Sequence, residues 1–292
     1  MSSTASRGAV IAYNGYDSGL GNRVRVVLGA QSLAELEGRS FAYVWPTGEL
    51  FGPRFSDLWD FPGRTVPRAV SRVLARRYPY VDASLDWLDD DKRRERLWQI
   101  RTGSEIQLPP EARPWTEAYR ELVPVDAVAE AVTRFSAREL GGEPYVGVMI
   151  RAHAVSHAAT RATSPVEWFE GRMRRIVEQR PGTRFFVSCD VPEVQERICR
   201  TIPGCTGQLD KGAYNSVDGV RSAVADVYLL AGAGYLLGPH FSSFLHLAQH
   251  LADDRIPVET AVKDEPPVVD PAALGVVEDP LRPAVRRAVP TP

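Results

Sequence analysis

Five consecutive residues, Ala9 to Tyr13, are apolar or aromatic, and the segment from Asn14 to Gly21 then breaks the run with three glycines. Beyond the break, Val24, Val27 and Leu28 recur at helical spacing, and Val26, Ala30 and Leu33 widen that face. The spacing predicts a helix over 22–37, closed by Gly38, and Ser40 to Trp45 reads as a second strand. Strand, glycine turn, helix and strand make a βαβ unit, the start of a parallel sheet.

The stretch from Pro46 to Glu139 holds helical patterns such as "RAVSRVLARRY" and "DAVAEAVTRFSAREL", broken by Pro-containing loops. The run "DDDKRRER", Asp89 to Arg96, reads as a solvated helix start, with acids in the first turn and bases after it. Beyond Gly141-Gly142 the alternation returns: an apolar strand, Tyr145 to Arg151, leads through a polar loop to "SPVE". There Ser164 is expected as N-cap, Pro165 as the first helical residue and Glu167 as the partner in a capping box. Trp168, Phe169, Met173, Ile176 and Val177 supply that helix's apolar face. A strand at Arg184 to Asp190 follows, with Asp190 and Glu193 expected to cap the next helix. Helices at 222–231 and 243–251 and a strand at 235–237 complete the series. From Lys263 onward prolines remove all periodicity, leaving a strap or a disordered tail.

The fold expected is therefore α/β: two Rossmann-like β/α domains facing a central cleft. They span 1–140 and 141–262, with a Pro-rich tail over 263–292.

A net charge of -2 argues against a general nucleic-acid binder, and no apolar run reaches the length of a membrane helix. Cys189, Cys199 and Cys205 form no C-x-x-C pair and read as reduced thiols in a cytoplasmic protein. The histidine pairs His153/His157 and His246/His250 have i,i+4 spacing but no H-E-x-x-H pattern and no third ligand, so no metal site is assigned. His246 and His250 are expected to pack along one helix face.

Open parallel sheets bind ligands at the carboxyl ends of their strands, where three features fall. The turn containing Gly19, Gly21 and Asn22 can offer backbone N–H groups to a phosphate, or serve as a plain strand-to-helix turn. Arg23 and Arg25 follow in a helix's first turn, which is already partly positive, and so raise the question of a negative partner. Arg151 ends an apolar strand, either to hold an anionic ligand or to pair at a domain interface. Ser242 and Ser243 stand at a strand-to-helix turn, where a serine caps the helix whatever else it does. No acid ends the second strand, which disfavours a dinucleotide.

In this order, "SGLGNRVRVVLGAQSLAELEGRSFAYVWPTGELFGPRFSDLW", "YVGVMIRAH" and "DVYLLAGAGYLLGPHFSSFLHLA" resemble the fucosyltransferase superfamily of GT-B fold. That superfamily includes nodulation, core and protein O-fucosyltransferases. The resemblance spans about residues 9 to 252. It implies that Gly19, Gly21, Asn22, Arg151 and Ser243 hold the donor diphosphate, with Ser242 beside them and Asp226 near the base. Met149 stands where the family usually has a guanine-contacting His, and Ala152 where a second basic residue often follows. The acid several residues beyond the arginine is replaced by Ala158-Ala159, leaving His157 and then His153 as candidate bases.

The activity implied is inverting, metal-independent glycosyl transfer, with the N-terminal domain on the acceptor side. GDP-fucose is the first candidate donor, the acceptor is a hydroxyl of a glycan, peptide or small molecule, and no cofactor is involved. The alternatives are a non-catalytic nucleotide- or glycan-binding module and a glycosyltransferase using another nucleotide sugar.

Overall fold

A computed structural model describes residues 8–15, 18–153, 158–263, 266 and 268–289. Two compact units divide the chain, one formed by residues 1–123 with 215–217 and the other by 124–214 with 218–292.

The first unit is built on a five-stranded parallel sheet. Its elements run β1 (Ala9–Tyr13), α1 (Leu20–Leu36), β2 (Ser40–Val44), β3 (Arg64–Thr65), α2 (Arg68–Leu74), β4 (Tyr80–Val81), α3 (Asp90–Arg94), β5 (Leu97–Arg101) and α4 (Trp115–Arg120). The strand order is β3-β2-β1-β5-β4, with Ala9 opposite both Ser40 and Leu97. Helix α1 starts two residues earlier than its apolar spacing predicts. Gly19 occupies the N-cap, and Leu20 and Gly21 are buried in the first turn. Gly29 lets α4 approach closely, because a Cβ there would lie 2.7 Å from the Trp115 ring. Gly38, at φ +62°, takes the left-handed conformation that ends α1 cheaply. The acidic run behaves as expected: Asp89 caps α3 by accepting the Lys92 N–H at 2.8 Å.

The second unit runs α5 (Asp126–Phe135), β6 (Tyr145–Ile150), α6 (Ala158–Thr163), α7 (Val166–Gln179), β7 (Arg184–Cys189), α8 (Pro192–Thr201) and β8 (Cys205–Thr206). It continues through α9 (Val217–Ala231), β9 (Tyr235–Leu237), α10 (Ser243–Leu251), β10 (Val258–Glu259), β11 (Val276–Val277) and β12 (Arg286–Arg287). Its main sheet is wholly parallel in the order β8-β7-β6-β9-β10. Strand β6 is buried at every position, as a central strand covered on both faces must be. Val146, Val148, Ile150, Phe185 and Val187 pack with Phe169, Met173 and Ile176 of α7. Each such side chain contributes about 2 kcal/mol by leaving water.

A buried ion pair joins α7 to the sheet edge. Arg172 donates to Glu259 through Nε at 2.5 Å and through its terminal nitrogen at 3.1 Å, and the Tyr235 hydroxyl adds a bond at 2.9 Å. The Pro-rich tail packs on this unit. Val269 enters the core, β11 pairs antiparallel with β12, and Arg286 donates to the carbonyls of Ala231 and Ala233.

Two expected caps are corrected. Pro165, not Ser164, is the N-cap of α7; the Ser164 N–H bonds back to Thr160 O, and its hydroxyl accepts the His240 N–H at 3.0 Å. With Pro165 outside the helix, Glu167 closes no capping box. Helix α8 starts at Pro192 after a Val191 N-cap, which puts Asp190 outside it. The Asp190 carboxylate instead accepts the N–H groups of Ala152 and His153, at 2.7 and 3.2 Å.

Candidate active site

In the second unit the strand order reverses at β6, whose neighbours β7 and β9 are reached by connections running in opposite directions. Ligand crevices form outside the carboxyl ends of strands at such a switch point. Arg151 directly follows β6 there. Its side chain is 22% exposed, its guanidinium lies 5.0 Å from the Phe244 ring centroid, and one terminal nitrogen is 3.8 Å from Asp190. The guanidinium is thus seated against an aromatic face, and the side chain as a whole keeps part of its surface exposed. Across the switch point, β9 leads through Gly238 to the start of α10. Ser242 is the N-cap, accepting the Leu245 N–H at 3.4 Å, and Ser243 is the first helical residue. The expectation of a capping serine is met, and the helix's N-terminal partial positive charge stands beside Arg151's neighbour Phe244.

Between Ser242 and Gly238 the loop carries Phe241, at φ +59° and 86% exposed. That backbone region is uncommon for a bulky residue. Met149 is buried, with its sulfur 3.9 Å from the Ser242 hydroxyl, and is paired in register with Ser188.

Asp226 lies on α9, 2% exposed, and both its carboxylate oxygens are engaged. Oδ1 accepts from Gln208 at 2.7 Å; Oδ2 accepts from the Ser188 hydroxyl and from Lys211 Nζ, each at 2.7 Å. Lys211 spends its remaining donors on Gln195 Oε1 at 2.7 Å and the Cys189 carbonyl at 3.3 Å. This network was not legible in the sequence. Lys211, Gln195 and Gln208 stand in no motif, and only the parallel packing of β7, α8 and α9 assembles them.

In the first unit the strand order likewise reverses at β1, and the glycine turn with Gly19, Gly21 and Asn22 follows that strand. Arg23 and Arg25, whose place near the helix start raises the question of an anion, have protein partners. Arg23 is fully buried and donates to the carbonyls of Ser18 at 2.7 Å and Pro46 at 2.6 Å, with Phe51 and Trp45 around its guanidinium. Arg25 donates to the Gly103 carbonyl, and burial lowers its pKa. Their role is to tie α1 to neighbouring loops.

His153 stacks on Tyr214, with ring centroids 4.9 Å apart and planes within 5°. His157 lies outside the described residues. On α10, His246 is exposed rather than packed, and His250 is 2.9 Å from Asp254. Among the described residues no three His, Cys, Asp or Glu side chains are grouped to hold a metal ion, and no helix is long and apolar enough to cross a membrane.

Two Rossmann-like sheets, each with its own switch point, define an α/β chain of GT-B-like architecture. The chain has the fold of known fucosyltransferases. It is similar to NodZ alpha-1,6-fucosyltransferase soaked with GDP-fucose, with 18% identity, a TM-score of 0.57, and 83% of this chain and 92% of that one covered. The structure of NodZ from Bradyrhizobium matches at 17% identity and TM-score 0.56, over 84% and 92% of the two chains. POFUT1 in complex with GDP-fucose matches at 14% identity and TM-score 0.55, covering 89% of this chain and all of that chain's length (100%). No protein-family profile matches the chain, and no curated protein matches it in sequence.

Proposed function

We propose that the chain is an inverting, metal-independent glycosyltransferase acting in the cytoplasm. Its donor is a nucleotide-diphosphate sugar, GDP-fucose first, and its acceptor a hydroxyl of a glycan, peptide or small molecule. The observation that carries the reading is the placement of Arg151 beside the N-terminus of α10 at the switch point of a Rossmann-like sheet. POFUT1 in complex with GDP-fucose and NodZ soaked with GDP-fucose, which share this fold, support that choice of donor.

The chemistry asks little covalent participation of the protein. As the bond from the anomeric carbon to the diphosphate oxygen stretches, negative charge collects on the leaving group and the sugar becomes oxocarbenium-like. The Arg151 fork and the free N–H groups opening α10, with the Ser243 hydroxyl, would stabilise that charge without a metal. In the first unit, the Gly19–Asn22 turn is by itself a candidate diphosphate-holding turn through the amides that open α1. A base must take the acceptor proton, and His157 and His153 are the candidates.

A second reading is favoured by the engaged carboxylate of Asp226 and by buried Met149. Neither is poised as a guanine contact, which suits a donor with another base or a binding module without turnover. Calorimetry with GDP, UDP, dTDP and ADP, followed by prolonged incubation with the sugar form of the tightest binder, tests both readings. Transfer or slow donor hydrolysis with GDP-fucose supports the first. Tight binding without any turnover favours the module, and no nucleotide binding at all would overturn both.

A further inference from the structure

Cys199 and Cys205 are six positions apart, outside any C-x-x-C spacing, yet the fold brings their sulfurs together. Cys199 lies in the last turns of α8 and Cys205 opens β8. The turn between them closes at Gly204, whose φ of +73° and approach to the Thr183 carbonyl exclude a side chain. The Cys205 thiol donates to the Cys199 sulfur at 2.7 Å, and both residues are partly exposed. Cys189, by contrast, is buried in the core of the same unit.

We infer that Cys199 and Cys205 form an oxidation site, a dithiol that converts to an internal disulfide by exchange with low-molecular-weight disulfides such as oxidised glutathione. The Cys199 thiolate attacks one sulfur of the small disulfide, forming a mixed disulfide and expelling one thiolate. Cys205, giving its proton to solvent, attacks the Cys199 sulfur and expels the second thiolate. The protein loses two protons and two electrons, and the small disulfide becomes two thiols.

The order of attack follows from the local electrostatics. The hydrogen bond from Cys205 lowers the pKa of Cys199, with the Lys211 charge acting in the same direction against burial. The same bond, together with burial, raises that of Cys205. Cys199 is therefore the nucleophile and Cys205 the resolving thiol. The new bond would tie α8, which carries Gln195, to β8, which leads directly to Gln208 and Lys211. In a reducing compartment the pair stays a dithiol until an oxidant reaches it.

The test equilibrates the reduced full chain in glutathione buffers of rising oxidised fraction, quenches with N-ethylmaleimide and digests with trypsin. Cleavage after Arg200 separates the two cysteines, so a linked pair of peptides reports the bond. The expected result is loss of alkylation at Cys199 and Cys205 together, with Cys189 absent from the linked product. The Cys205→Ser variant is expected to stop at a glutathione adduct on Cys199. If both thiols stay alkylated across the series, or wild type accumulates only glutathione adducts, the inference fails.

Discussion

Lys211 Nζ stands 2.7 Å from Oδ2 of Asp226, with the lysine side chain 14% and the aspartate 3% exposed. All three ammonium donors have acceptors, in Asp226, Gln195 and the Cys189 carbonyl. Ser188 and Gln208 supply the other bonds to Asp226. A buried charge with every partner in place is costly to unbalance from one side. Asp226→Asn should therefore lower unfolding stability by about 3 kcal/mol, because it leaves the ammonium without its counter-charge. Adding Lys211→Met should recover part of that loss. Affinities for GDP and pyrophosphate should weaken together, because the carboxylate organises the strand ends rather than reading the base. Denaturant melts and calorimetry on one preparation decide it. A variant of wild-type stability that loses GDP alone would make Asp226 a base contact.

Arg23 presents the same question in the first unit. Its guanidinium is fully buried, bonded to the carbonyls of Ser18 and Pro46 and faced by Phe51 at 4.1 Å. Arg23→Ala leaves the buried Pro46 carbonyl and the part-buried Ser18 carbonyl short of a donor and opens a cavity, so it should cost about 3 kcal/mol of stability. Lysine cannot reproduce the fork, so Arg23→Lys should recover less than half. Unfolding curves for the two variants check this. Loss of diphosphate binding with unchanged stability would instead make Arg23 a ligand contact.

What the sequence made legible follows from where its signals are periodic. Strands β1, β6, β7 and β9 and helix α10 stand where the apolar spacing and glycines put them, and α1 departs only by starting two residues early at Leu20, because burial selects those residue types directly. The capping reading of "SPVE" and of Asp190 failed for a physical reason. A short polar side chain just ahead of a helix can serve a neighbouring strand end as readily as its own helix. Ser164 bonds His240 N–H and Asp190 bonds Ala152 and His153, and both choices are set by tertiary packing. The arginines of the first turn raised the right question and had a protein answer, in carbonyls 5 to 78 positions away. Lys211, Gln195 and Gln208 left no signal, since a buried polar network depends on contacts distant in the chain.

Alkaline pH offers a separate check on the second unit's core. Burial raises the Cys189 thiol from its ordinary 9.0 to about 12 and also raises Tyr145 and Tyr235 above their ordinary 10.0. For a group whose pKa is raised by folding, the unfolded chain loses its proton first. The folded state then binds more protons, so stability is full below the unfolded value and falls as pH rises. For Cys189 the window is pH 9 to about 12. Each such group contributes about 1.4 kcal/mol per pH unit across its window. Cys189→Ala should therefore flatten the stability decline between pH 9 and 11 relative to wild type, under reducing conditions. Denaturant melts at pH 8, 9.5 and 10.5 measure the slopes, and identical slopes would mean that Cys189 ionises as freely folded as unfolded.

Arg151 carries the proposed chemistry, and its surroundings let binding and folding be separated. Its guanidinium touches Phe244 and lies 3.8 Å from Asp190, and Asp190 keeps two backbone N–H bonds when the arginine is removed. Arg151→Ala should thus lower stability by only about 1 kcal/mol, as for a partly exposed ion pair. Its effect on transfer should be larger. A planar fork suits two diphosphate oxygens, and its charge matters most when the leaving group carries full negative charge. Loss of that interaction should cost on the order of 3 kcal/mol of transition-state stabilisation, a hundredfold or more in rate. Arg151→Lys retains the charge without the fork and should leave most of the deficit in place. Transfer from GDP-fucose and melting temperature are measured on the same preparations. If Arg151→Ala transfers at the wild-type rate, or its rate falls only in step with unfolding, the diphosphate is held elsewhere and Arg151 is a structural partner of Asp190.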